Sequence, residues 1–122
     1  MNNYVEYKNV KKVYRDKSNL LSNIGKDIDN LKKSDDPFLK RYLEISSFLS
    51  SVGLSVDLAF GMDDEKYTAL AEEAKKLVEM SSLVRQFVAL KEYGRILIHE
   101  TRNLEDVLMQ LEASSEKEKT NV

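Results

Sequence analysis

The stretch YKNVKKVYRDKSNLLSNIGKDIDNL, Tyr7–Leu31, decides the fold class. Tyr7, Val10, Tyr14, Lys17, Leu21, Ile24, Ile28 and Leu31 recur at alternating intervals of three and four residues. That spacing puts them on one face of an α-helix, and all but Lys17 are apolar or aromatic. Val13 and Leu20 widen the stripe, as in a bundle helix rather than a narrow two-stranded seam. Lys17 interrupts it. Its alkyl stem can lie along apolar surface, or its ammonium can face a carboxylate on another helix. Gly25 lies off the stripe and weakens the helix by up to about 1 kcal/mol relative to Ala.

Working outward, Ser34-Asp35-Asp36-Pro37 is the clearest boundary in the chain. Asp36 suits the capping position, and Pro37 suits the first helical position, where its missing N–H costs nothing. A second stripe follows at heptad spacing: Phe38, Tyr42, Ile45, Leu49, Val52, Val56 and Ala59, with Gly61 as a candidate stop. Val52, Leu54, Val56, Leu58 and Phe60 also alternate with period two, so residues 52–60 carry a competing strand pattern. Helix is the expected outcome, because no turn-flanked partner strand is present. Ser46, Ser47, Ser50, Ser51, Gly53 and Ser55 read as small residues that let helix backbones approach closely.

The third segment starts at Asp63-Asp64-Glu65, acidic residues that suit the positive end of a helix dipole. It carries two offset stripes. Tyr67, Leu70, Ala74, Leu77, Ser81, Val84 and Val88 form the first. Met80, Leu83, Phe87, Leu90, Gly94, Leu97, Thr101, Leu104, Leu108 and Leu111 form the second. A straight helix drifts by about 20° per heptad, so such a change of frame is expected. No proline falls between Met62 and Ala113. The segment reads as one very long helix or as two, with Ser81-Ser82 and Gly94 as candidate breaks and Gly94 favoured. From Ser114 onward the pattern ends in a polar tail.

The expected fold is all-α: an antiparallel bundle of three long helices, four if the last segment breaks near Gly94. Residues 1–113 read as one domain and residues 114–122 as a disordered tail. Composition agrees with this reading. The 122 residues include one proline, four glycines and no tryptophan, so turns are few and elements long. At 42% hydrophobic and 33% charged, the chain can bury one modest core. Residues 1–41 carry ten Lys and Arg against six Asp and Glu, or +4; the remainder carries nine against fifteen, or −6. Such asymmetry marks either a basic partner-binding end or two ends of a bundle that attract each other. No leader-like apolar run opens the sequence, and Ile45–Val56 is too short and polar to span a bilayer, so a cytoplasmic protein is expected.

Chemistry-bearing motifs are sparse. Cysteine is absent and His99 is the only imidazole, which excludes thiolate sites and multi-histidine metal centres within one chain. A di-metal bundle needs Glu-x-x-His pairs, but Ile96 stands three residues before His99. Asp63-Asp64 and Glu72-Glu73 lack calcium-loop spacing and read as a cap and a solvated face. No cofactor or metal is expected.

Arg95-Ile96-Leu97-Ile98-His99-Glu100 resembles the Arg-to-His motif of HEPN-type ribonucleases, which are small helical bundles. In that family a polar residue usually follows the Arg and a longer spacer precedes the His. Over its six residues, this chain departs from the pattern at both points. The resemblance implies that Arg95 and His99 act on an RNA phosphodiester in a dimer. A separate alternative is nucleic-acid binding through the basic first helix, with Lys8, Lys11, Lys12 and Arg15 on phosphates and interleaved tyrosines stacking on bases. The acidic pI of about 5.5 opposes it.

The favoured reading is a small non-enzymatic helical protein that binds protein: an adaptor, inhibitor or regulatory subunit, of the kind found in phage or mobile elements. At 1.5 Å per residue, the first segment reaches about 45 Å and the third about 75 Å if unbroken. Shorter partners cannot cover such lengths, so part of the stripe should be buried by another protein or by a second copy of the chain. Tyr7, Tyr14, Leu97, Leu104, Leu108 and Leu111 are the expected contact residues.

Overall fold

The computed structural model describes the backbone of residues 2–120 and the side chains of residues 4–114. It is all-helical, with no strand among the described residues: α1 (Asn2–Lys32), α2 (Pro37–Ser51), α3 (Val56–Phe60), α4 (Glu65–Met80) and α5 (Ser82–Thr120). The expected disordered tail, 114–122, lies beyond the described side chains except for Ser114.

Among the described residues there are thus five helices, not three or four; one break falls where the sequence placed none, and the other at Ser81, the less favoured of its two candidates. The first is at Val52–Ser55. Val52 caps α2, and Gly53 adopts φ 78°, a left-handed conformation that only glycine enters cheaply. Leu54 N–H then closes back onto Leu49 O at 2.8 Å. The continuous heptad from Phe38 to Ala59 therefore fails at its middle. Residues 56–60 form the short α3, capped by the Ser55 side chain accepting from Leu58 N–H, and not the alternative strand.

The second break is at Ser81, not Gly94. The Ser81 N–H still donates to Leu77 O, while Ser81 Oγ accepts from Val84 N–H at 3.3 Å, so one residue closes α4 and opens α5. Arg85 Nη1 donates to Val78 O and Glu79 O, both at 2.9 Å, and satisfies carbonyls that the end of α4 leaves without an intrahelical donor. Ser81 is buried, and its hydroxyl donates to Asp36 Oδ2 at 3.3 Å. That same oxygen accepts Leu39 N–H and caps α2, one residue before Pro37, as the sequence predicts.

The chain divides into two compact units, residues 28–90 and residues 1–27 with 91–122. In the first, Leu39, Tyr42, Ile45 and Leu49 of α2 share a core with Ala59, with Ala71, Ala74 and Leu77 of α4, and with Val84 and Phe87 of α5. Ile28 and Leu31 pack against it. Tyr42 meets Phe87 edge-on at 6.0 Å between centroids. Close helix approach is made by Ala59, Ala71 and Ala74, all fully buried. The serines expected in that role are not buried: Ser46 is half-exposed, and Ser47, Ser50, Ser51 and Ser55 are exposed. Arg41 braces the outside, its Nε and Nη2 donating to the two carboxylate oxygens of Glu73 at 2.6 and 3.2 Å.

Two expectations follow. Replacing Ser81 with Ala removes a helix cap and lowers unfolding free energy by about 1–2 kcal/mol. Because Ser81 and Asp36 are bonded, the double variant Ser81→Ala/Asp36→Ala should cost less than the two singles added together, as measured by urea unfolding. Gly53→Ala should destabilise by about 1 kcal/mol, the cost of a side chain in the left-handed region.

Candidate functional site: the paired helices α1 and α5

In the unit built from residues 1–27 and 91–122, the stripes of α1 and α5 face each other. Ile24 Cγ2 lies 3.6 Å from where a Cβ on Gly94 would sit. Lys17 pairs with Glu100. The Tyr14 hydroxyl donates to Glu105 at 2.8 Å, and the Tyr7 hydroxyl to Glu112 at 3.1 Å. Each step back along α1 is matched by a step forward along α5, so the two helices run antiparallel. Gly94, read as a possible break, is instead a buried small residue inside a continuous helix.

Cover falls away along the pair. Ile24, Leu97 and Thr101 are buried, whereas Tyr7, Val10, Tyr14, Lys17 and Leu21, and Leu104, Leu108 and Leu111, are half-buried. Two helices cover only the stripe between them, and they leave two open edges. The sequence of bonds identifies each edge. Tyr7–Glu112 and Tyr14–Glu105 close one edge, where Lys11, Ser18 and Arg102 also lie, with Ile98 and Met109 as its apolar members. Lys17–Glu100 marks the other. Residues three, four and seven apart share a helix face. Val13 and Leu20 therefore flank Lys17, and Tyr93, Ile96 and Val107 flank Glu100. These five side chains are between 37% and 46% exposed. They form a largely apolar edge with one ion pair and the exposed Asn103 at its middle.

The expected contact residues thus lie on the stripes of α1 and α5 that face each other, Leu97 buried and Leu104, Leu108, Leu111, Tyr7 and Tyr14 half-buried. The apolar edge beside them was missed as a site. Val13 and Leu20 were visible only as a widening of the first stripe. Lys17 has found a carboxylate on another helix, one of the two roles open to it.

Lys8, Lys11, Lys12 and Arg15 are all exposed on α1. Lys8 Nζ lies 5.0 Å from the Tyr4 ring centroid, and Lys11 Nζ lies 5.6 Å from that of Tyr7. Tyr7 and Tyr14, offered for base stacking, have their hydroxyls committed to α5. Arg95 bonds Glu92, Nε to Oε2 at 3.1 Å and Nη2 to Oε1 at 2.6 Å. That contact holds the Glu92 carboxyl below its usual range and Arg95 above its own. His99 is exposed. Among the described residues, no cluster of three or more His, Asp or Glu is placed to hold a metal, and no helix is long and apolar enough to cross a membrane. No family model, curated protein or solved structure matches the chain.

The Tyr14–Glu105 bond has a pH signature. The hydrogen bond to Glu105, then its negative charge, raises the Tyr14 phenol above its ordinary 10.0. A phenol raised on folding contributes stability that is present below pH 10.0 and lost as pH climbs through the folded value. Tyr42 is raised too, chiefly by burial. In an ultraviolet tyrosinate titration, Glu105→Gln should return one high-titrating tyrosine toward its ordinary value and leave Tyr42 high. The seam gives a second expectation. A Cβ on Gly94 meets Ile24 at ordinary contact distance, and one on Gly25 meets nothing within 4 Å. Gly25→Ala and Gly94→Ala should each stabilise the protein by up to about 1 kcal/mol in thermal unfolding, opposite in sign to Gly53→Ala.

Proposed function

We propose that this chain is a non-enzymatic, protein-binding helical module whose working surface is the apolar edge of the α1 and α5 pair. The observation that carries this reading is the alignment of Val13, Leu20, Tyr93, Ile96 and Val107 along one edge, each more than a third exposed. Single exposed apolar residues are ordinary on protein surfaces. A contiguous set beside a half-covered seam is a mark of an interaction site. Burial of such a set contributes roughly 25 cal/mol per Å² of apolar area, which favours association before its entropic cost. An adaptor, inhibitor or regulatory subunit needs no more chemistry than this surface supplies.

Site-specific photo-cross-linking in cells tests the reading. A photoreactive residue at Leu20 or Val107 should give protein adducts, and one at Lys12 or His99, away from the edge, should give few. Equal adducts at all four positions would contradict it. Nucleic-acid adducts concentrated at Lys12 would replace it with binding through the basic row of α1.

A further inference from the structure

Resting on the protein-binding reading, we infer that the occupant of the apolar edge is a second copy of this chain, docked about a two-fold axis to complete a four-helix bundle. Three observations support this. The first is symmetry. A two-fold interface uses the same patch on both partners, so the patch must be complementary to itself. Lys17 and Glu100 stand side by side with opposite charges in the middle of the edge. Val13 and Val107 lie toward one end, and Leu20, Tyr93 and Ile96 toward the other. A two-fold axis parallel to the helices and passing over the ion pair sets each Lys17 opposite the Glu100 of the other copy. It also sets each Val13 opposite the Val107 of the other copy, and each Leu20 opposite its Tyr93 and Ile96.

The second is area. The side chains described in α1 up to Asp27 span about 36 Å at 1.5 Å per residue, and two helices are about 20 Å across, giving roughly 700 Å² per copy. A stable interface takes about 800 Å² per partner. The third is the unfinished seam. Val10, Leu104 and Leu111 are half-buried on the side of the pair that faces this edge, and two more helices are what a bundle uses to cover such positions. Lys17 and Glu100 retain side-chain exposures of 32% and 39%. In the dimer they join a four-charge cluster in an apolar setting, the arrangement by which buried ion pairs fix register.

Light scattering and sedimentation on the full chain over a range of concentrations test the inference. The native protein should have twice the 14.0 kDa chain mass. Leu20→Glu and Val107→Glu should shift it to the monomer mass with helicity retained, since both positions are exposed. Met109→Glu, on the opposite edge, should leave the dimer intact. Lys17→Glu should dissociate it, and the swap Lys17→Glu/Glu100→Lys should restore it. A native protein that stays monomeric at its highest soluble concentration overturns the inference, as does a dimer indifferent to Leu20→Glu and Val107→Glu. If a monomeric native protein still cross-links to a different protein at Leu20 and Val107, the second copy fails and the protein-binding reading stands. If the cross-links show no preference for the edge, that reading fails separately.

Discussion

The bond between the Ser81 hydroxyl and Asp36 is the constraint that ties the boundary between α4 and α5 to the start of α2. Without a stop at Ser81, α4 and α5 would be one rod, with no glycine or proline between them to turn it. A serine in mid-helix does not stop a helix on its own. Here Ser81 does so because its hydroxyl is occupied on both sides, accepting from Val84 N–H and donating to the carboxylate that caps α2. Arg85 then completes the exchange by taking up the carbonyls at the end of α4. The start of α2 and the start of α5 thus share one carboxylate oxygen. The hydrophobic core formed by α2, α4 and the first turns of α5 packs around that arrangement.

This explains which parts of the fold were legible in the sequence. Helical periodicity reports which face of a segment is buried, and the stripes of α1, α4 and α5 are buried or half-buried as read, except for Met80, which is exposed. Asp36-Pro37 was legible because a cap and a fixed φ are local chemistry. Ser81-Ser82 was legible only as the less favoured of two candidate breaks, because the stop at Ser81 depends on Asp36 forty-five residues away. Gly94 was misread. A glycine inside a helix can signal a break, but α5 runs on through Gly94, which is buried beside Ile24 of α1 with room left for a Cβ. The end of α2 was hidden by coincidence, since Val52, Val56 and Ala59 fit a heptad that the backbone abandons at Gly53.

The candidate site shows the same division. Periodicity marked Tyr7, Tyr14, Leu97, Leu104, Leu108 and Leu111 as part of a surplus apolar stripe. It could not show that the stripes of α1 and α5 meet each other, because that depends on antiparallel register. Val13 and Leu20 look like minor widening in the sequence of α1. They acquire a role only beside Tyr93, Ile96 and Val107 of α5. The charge asymmetry between the two parts of the chain also has a local expression here, in Lys17–Glu100 across the pair.

The central claim is that a second copy of this chain occupies the edge beside Lys17 and Glu100. Amide hydrogen exchange followed as a function of protein concentration tests it most directly. The account predicts that protection in residues 10–24 and 93–108 rises with concentration, while protection in the core of residues 39–87 stays constant. Protection unchanged throughout, or rising instead on the outward face that holds Lys8, Lys12 and Arg15, would contradict it.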